Sequence, residues 1–382
     1  MPRRIRVLHV IQNLNYGGME RVLSDIVLRC DRTRFESHVL CLQYLGRFAS
    51  GLDEVASLHV ADPMSSASML RPRSLARQIA AIDPDVVHSH SGVWYKASYA
   101  GRMAKVPLVV HTEHGRASPD PLRNRIVDAM GAQRTDVVVA VSELLAGQLR
   151  RRLSIPARKI TVIPNGVDVD AYAPHSDTGR IRRELGLSAT TPIIGSIGRL
   201  EPIKGYDVMI DAFAVLRERG QDRGATLVIG GEGSQRAALE GRVRDRGLEG
   251  VVHLLGWRDD VLDMHSSFTF FTMSSRSEGT SISLLEAMSA AIPPVVTDVG
   301  GNAAVLGERL RHRLVPSERP EALAASWADL LANEEARASE AVVARQRVID
   351  AFGLDAMVRG YERTYARSAA HGTLKAHASS SA

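Results

Sequence analysis

The chain has 382 residues, 45% of them apolar and 24% charged, with a formal net charge of +5. That length exceeds one ordinary core and fits two domains, and the composition excludes a disordered or fibrous chain. No apolar run approaches the ~18–20 residues of a membrane span, and the two cysteines, Cys30 and Cys41, form no disulfide framework.

The N-terminal IRVLHVI (5–11) reads as a first strand rather than a signal peptide, because it ends in polar residues with no small-residue cleavage site. A helical stretch, 19–30, follows. The strand-like runs 37–42, 84–90, 107–115 and 135–142 then alternate with further helical segments. These runs are short and apolar on both faces, as strands in a covered parallel sheet must be. After the Pro-Asn-Gly turn in VIPNGVDVD the pattern restarts, with strands expected at 191–198, 225–231, 251–256, 267–274 and 293–298. The expected architecture is α/β, two doubly wound Rossmann-like domains facing across a cleft. The expected divisions are 1–168, 169–345, a C-terminal helix over 346–367 that packs back on the first domain, and a disordered tail over 368–382.

Charge is divided unevenly. Residues 1–165 hold 23 Lys+Arg against 14 Asp+Glu, and the rest hold 25 against 29. A basic first half suits an anionic acceptor or an anionic membrane surface, with the Arg71–Arg73–Arg77 helix as the expected contact. Nucleic acid is not expected, since no helix-turn-helix, zinc or RNA-binding signature occurs. The expected location is the cytoplasm, peripherally at the inner membrane face.

In open α/β sheets ligands bind beyond the carboxyl ends of the strands. After the first strand come Gly17 and Gly18 before a helix, a setting that lets backbone approach an anion. After 193–198 come Arg199 and Lys204, a planar fork and a point ammonium suited to a diphosphate. Arg258, after the strand at 251–256, is placed to lie against a base, or serves turn chemistry. His88, His90, His111 and His114 end neighbouring strands. Their spacing lacks a zinc signature, so hydrogen bonding to a polyhydroxyl ligand is expected and no metal. In SSRSEGTSISLLEAM, Gly279, Thr280, Ser281 and Ile282 open a helix between Glu278 and Glu286. Ser283-x-x-Glu286 also fits a capping box, so Glu286 is either a helix cap or a ligand carboxylate at this point.

Taken together, Glu278-x7-Glu286, Arg199 with Lys204, PNGVD (164–168), TDVGGN (297–302) and GGMERV resemble family-4 retaining glycosyltransferases of the GT-B fold. HTEHGR and EGTSISLLEAM look most like sugar transferases associated with bacterial exopolysaccharide and exosortase systems. The resemblance implies transfer of a hexose-type sugar from a nucleotide-diphosphate sugar, UDP favoured, to a saccharide or lipid-linked saccharide, with no cofactor or metal. It implies that Arg199 and Lys204 clamp the diphosphate, Glu286 binds ribose and Glu278 meets the donor sugar. Backbone at Gly279–Ile282, together with Gly17 and Gly18, would line the donor, and His114, with His111 in reserve, would bond its sugar. Asp298 and Asn302 would support their loop. Two positions depart from the family pattern: Ala291 stands where Gly is usual, and Pro294 where an apolar residue begins the strand. Other readings on this fold are a catalytically silent sugar-nucleotide-binding scaffold and an epimerase or phosphorylase; the intact acidic and basic motifs weigh against them.

Overall fold

A computed structural model describes residues 3–15, 17–63, 71–115 and 121–367; the tail expected over 368–382 lies outside these. The chain divides into two units, one running to Asn165 and resumed from Leu354, the other Gly166–Gly353. Among the described residues no helix is long and apolar enough to cross a membrane.

The first unit is a seven-stranded parallel sheet of β1 (Ile5–Asn13), β2 (Phe35–Tyr44), β3 (Ala56–Val60), β4 (Val86–His90), β5 (Leu108–Glu113), β6 (Val137–Ala140) and β7 (Ile160–Val162). Their order is β3-β2-β1-β4-β5-β6-β7. The second has β8 (Ile193–Ile197), β9 (Thr226–Gly230), β10 (Val252–Leu254), β11 (Phe270–Met273), β12 (Pro294–Thr297) and β13 (Leu314–Val315), ordered β10-β9-β8-β11-β12-β13. Both are Rossmann orders. Strand order reverses between β1 and β4 in one sheet and between β8 and β11 in the other, and crevices for ligands open at such reversals.

Both faces of each sheet are buried, which explains the continuous apolar runs. In the second unit Ile194, Leu227, Phe270 and Val295 enter one core layer, beneath helices Tyr206–Glu218 and Pro320–Ala332. Their immediate neighbours Ile193, Val228, Phe271 and Val296 enter the opposite layer, with helix Ile282–Ser289. Cys30 and Cys41 are free, buried thiols in the first unit. The departure at Pro294 is accommodated because proline opens β12, where its missing N–H matters least.

The expected C-terminal helix is not continuous. Helix Glu334–Ala351 stops, Phe352 and Gly353 turn the chain, and a new helix runs Leu354–Tyr365. Val167 N–H donates to the Phe352 carbonyl at 2.9 Å, pairing the two segments where the chain passes between units. Helix Leu354–Tyr365 belongs to the first unit: Tyr365 shares a 2.8 Å hydrogen bond with His88, and Glu362 accepts one from the Asp31 amide.

Candidate active site at the strand ends

In the second unit the loops following β8 and β11 are neighbours because those strands pair. The first carries Arg199 and Lys204 and leads into helix Tyr206–Glu218. The second carries Ser274–Ser281 and leads into helix Ile282–Ser289. They are stitched together by backbone. Arg276 N–H donates to the Ile203 carbonyl, and Ser274 Oγ donates to the carbonyl of Gly205 at 2.7 Å. Gly205 turns with φ +64, and a Cβ there would stand 2.2 Å from the Ser274 carbonyl oxygen, so glycine alone fits.

Across this junction Lys204 Nζ donates to Glu278 Oε1 at 2.6 Å, and Ser275 Oγ donates to the same oxygen at 2.6 Å. The Glu278 side chain is 8% exposed and that of Lys204 19%. Tyr206, behind them, is buried, and burial pushes its phenol above its ordinary range despite a bond to Ser196. The Arg199 side chain is exposed and, among the described residues, makes no side-chain hydrogen bond, although its charge acts on nearby Glu201, so its fork is available to a ligand.

The TDVGGN loop forms the floor behind Glu278. Gly300 has φ +57, and a Cβ on it would meet the Glu278 carbonyl oxygen at 1.8 Å; Gly301 N–H donates to the Gly279 carbonyl at 2.8 Å. Asn302, fully buried, donates from Nδ2 to the Thr297 carbonyl and so ties the loop to the end of β12.

Gly279, Thr280 and Ser281 are buried at the start of helix Ile282–Ser289, whose N-cap is Ser281: its Oγ accepts from the Leu284 amide. The capping box Ser283-x-x-Glu286 does not form. Ser283 already lies inside the helix, so Glu286 stands two residues beyond the position that could bond back to the cap residue. Glu286 is buried nonetheless, with its Oε2 3.9 Å from Nε2 of His265. Neither His265 ring nitrogen has a hydrogen-bond partner among the described residues. Arg258, expected to face a base, is instead committed within the protein. Nε and Nη2 donate to the two Asp260 oxygens at 2.7 and 2.6 Å, and Nη1 to Glu184 at 2.8 Å.

In the first unit, Gly17 is the N-cap and Gly18 the first residue of helix Gly18–Arg29, which follows β1 at the order reversal. His9, His88 and His90, all buried, lie on paired β1 and β4. His88 bonds Thr112 and Tyr365; His90 shares one hydrogen bond with His9 (3.4 Å) and another with His114 (3.0 Å). Burial depresses His9 and His114 to about 3, and His88 and His90 also lie well below the usual range, so all four are neutral at pH 7. His114, just past the end of β5, keeps some exposed surface as a residue, but its ring is enclosed: Nδ1 is buried and Nε2 bonds His90. His111 stacks at 3.9 Å on Trp94 and bonds Ser89, which makes it a packed core residue. Ligand atoms of His9, His88 and His90 come within 4.8 Å of one another. Both His88 nitrogens are hydrogen-bonded in this arrangement, to Tyr365 and to Thr112.

Sequence reasoning missed Ser275, Tyr206, His265 and His9. Tyr206, His265 and His9 act through partners on other elements, which no spacing signals, while Ser275 bonds Glu278 three residues on within an irregular loop that shows no period.

Two Rossmann-like units with basic and acidic groups at a strand-order reversal define the GT-B class. Comparison with known proteins agrees. The model for glycosyl transferases group 1 matches residues 177–347, and that for glycosyltransferase family 4 matches 16–171. The D-inositol 3-phosphate glycosyltransferase of Jonesia denitrificans is 30% identical over 309 residues, covering 73% of this chain and 72% of its own length. The UDP-Gal:alpha-D-GlcNAc-diphosphoundecaprenol alpha-1,3-galactosyltransferase of Escherichia coli is 27% identical over 313 residues, covering 78% and 81%. The Anabaena Alr3699/HepE structure in complex with UDP and glucose superposes with TM-score 0.83 at 22% identity, covering 95% of this chain and all of that one. The chain belongs to the family-4 glycosyltransferases.

Proposed function

We propose that this glycosyltransferase moves a sugar, with retention of anomeric configuration, from a nucleotide-diphosphate sugar to a polysaccharide or lipid-linked saccharide acceptor. UDP is the favoured nucleotide. The carrying observation is the Lys204–Glu278 pair at the β8/β11 reversal, with the exposed side chain of Arg199 in the same loop as Lys204: two cations and a helix start for a diphosphate, with a carboxylate for sugar hydroxyls. The Escherichia coli relative is a UDP-galactose-dependent transferase acting on a diphosphoundecaprenol-linked sugar, and the Anabaena neighbour was solved with UDP and glucose; both support the reading.

In this reading Arg199 and Lys204 hold the diphosphate, backbone at Gly279–Ile282 lines it, Glu286 accepts from ribose hydroxyls and Glu278 from the sugar. The bond from the anomeric carbon to the β-phosphate oxygen breaks as charge builds on the phosphate, where the two cations stabilise it. The acceptor hydroxyl bonds the anomeric carbon on the same face and passes its proton to the departing phosphate. For the first domain we assign the acceptor side, with Gly17, Gly18 and His114 at strand ends offered to sugar groups. The cations take the part a divalent metal plays elsewhere, so turnover is metal-independent. Titration of the protein with UDP in chelator tests this: saturable binding that Lys204→Ala weakens supports the reading, and no binding overturns it.

A further inference from the structure

Arg276 stands two residues before Glu278 in the loop after β11. A guanidinium has five N–H donors, and here each meets an acceptor of the second unit. Nη1 donates to Asp207 Oδ1 at 3.0 Å and to the Pro202 carbonyl. Nη2 donates to Asp207 Oδ2 at 2.7 Å and to Glu318 Oε2 at 3.4 Å. Nε stands 2.5 Å from Glu318 Oε1. The Arg276 amide donates to the Ile203 carbonyl at 2.8 Å. A fork with every donor committed has none left for a phosphate, which separates Arg276 from Arg199 and Lys204.

The groups it holds come from three segments. Pro202 and Ile203 directly precede Lys204, Asp207 lies in the first turn of helix Tyr206–Glu218, and Glu318 follows β13. Glu318 has φ +60, a left-handed backbone that is costly for any residue with a Cβ. That strained turn delivers its carboxylate to Arg276. The side chains of Arg276, Asp207 and Glu318 are 31%, 37% and 55% exposed. Ion pairs this open to solvent add little to global stability. What they fix is local, the placing of one loop against the other.

We propose that Arg276 is a positioning residue for the donor diphosphate: it clamps the loop after β8 to the loop after β11 and so holds the Lys204 ammonium on Glu278, without touching the ligand. The proposal rests on the donor site above, where Lys204 binds the diphosphate. Displacing a contacting group by about 1 Å costs up to about 10²-fold, so a lost clamp registers in ligand binding before it registers in folding.

Hydrogen exchange of the ligand-free chain tests the clamp without a donor. The amides of Lys204, Gly205 and Arg276 are all hydrogen-bonded across or beside the junction. In Arg276→Gln the amides at 204, 205 and 276 should exchange at least about fivefold faster, with the urea midpoint little changed. Glu318→Gly removes one partner and relieves the left-handed backbone. It should keep or raise the urea midpoint and still speed the same amides, a divergence that a merely structural residue would not give. UDP titration supplies the link to Lys204. Arg276→Gln should weaken UDP binding at least about fivefold in the parent, and less than about twofold in Lys204→Ala, because a clamp acts only through the group it holds. Equal weakening in both backgrounds, or parent-like exchange in folded Arg276→Gln, would overturn the proposal. A parent that binds no UDP would overturn the donor reading instead, and the exchange rates would still decide the clamp.

Discussion

Lys204 and Glu278, 74 positions apart in sequence, are joined by a 2.6 Å ion-paired hydrogen bond that ties the loop after β8 to the loop after β11. An ammonium has three donors, so Lys204 can keep Glu278 and still present N–H groups to a phosphate. Lys204→Ala is expected to lower kcat/KM by about 10²-fold or more, as loss of a transition-state charge partner does. Lys204→Arg should not restore it, because a planar fork cannot replace a point charge in this geometry. Glu278→Ala combined with Lys204→Ala should cost less than the product of the single losses, since the pair acts as a unit. Steady-state kinetics of Lys204→Ala, Lys204→Arg, Glu278→Ala and the double variant decides this, and full additivity would show that the pair is not a unit.

Ala291 closes the helix Ile282–Ser289 with φ +58, a left-handed backbone that a Cβ makes costly. Ala291→Gly is expected to raise unfolding stability by about 1 kcal/mol. Urea titration measures it; unchanged or lower stability would show that the Ala291 side chain repays its strain by packing.

The buried histidines make the first unit sensitive to acid. His9 and His114 titrate near 3 in the folded protein against about 6.5 unfolded. Between those values the unfolded chain binds protons that the folded chain does not. Stability is therefore complete above about pH 6.5 and falls as pH drops towards 3, by up to about 1.4 kcal/mol per pH unit for each such group. Denaturation midpoints at a series of pH values should show this slope, shallower in His9→Leu. A stability that rises on acidification would contradict it.

His265 buries two ring nitrogens that have no hydrogen-bond partner among the described residues, beside Glu286. Its ring also packs against Phe268 and Phe271. His265→Phe should keep this packing and leave the melting temperature equal or higher, because an unsatisfied buried polar group costs about 1–3 kcal/mol. If His265 braces Glu286 against ribose, the same variant binds UDP several-fold more weakly. Parent-like binding would leave His265 a packing residue only.

The paired Rossmann pattern was legible because strands buried on both faces leave apolar runs, as at 193–197 and 137–140. The short strands β3, β7 and β13 were not. LHV, ITV and LV hold only two apolar residues each, and their strand state comes from pairing with a neighbour, which no local period records. In the site, Lys204 and Glu278 were visible as residue types after strand ends. Their contact depended on β8 pairing with β11, a long-range event. The capping box failed for a local reason: Ser281 and Ser283 both offer a hydroxyl, and the chain caps at the first. Arg258 shows the opposite limit, since its partners Asp260 and Glu184 turned an expected ligand group into a structural one.

The central claim is that this chain cleaves a nucleotide-diphosphate sugar with Lys204 and Glu278 at the reacting end. A screen of nucleotide sugars, read by release of nucleoside diphosphate and repeated with Lys204→Ala and Glu278→Ala, tests it most directly. The account predicts release from one donor class, UDP-sugars first, nearly abolished in both variants. Full release by either variant on the authentic donor would contradict the claim.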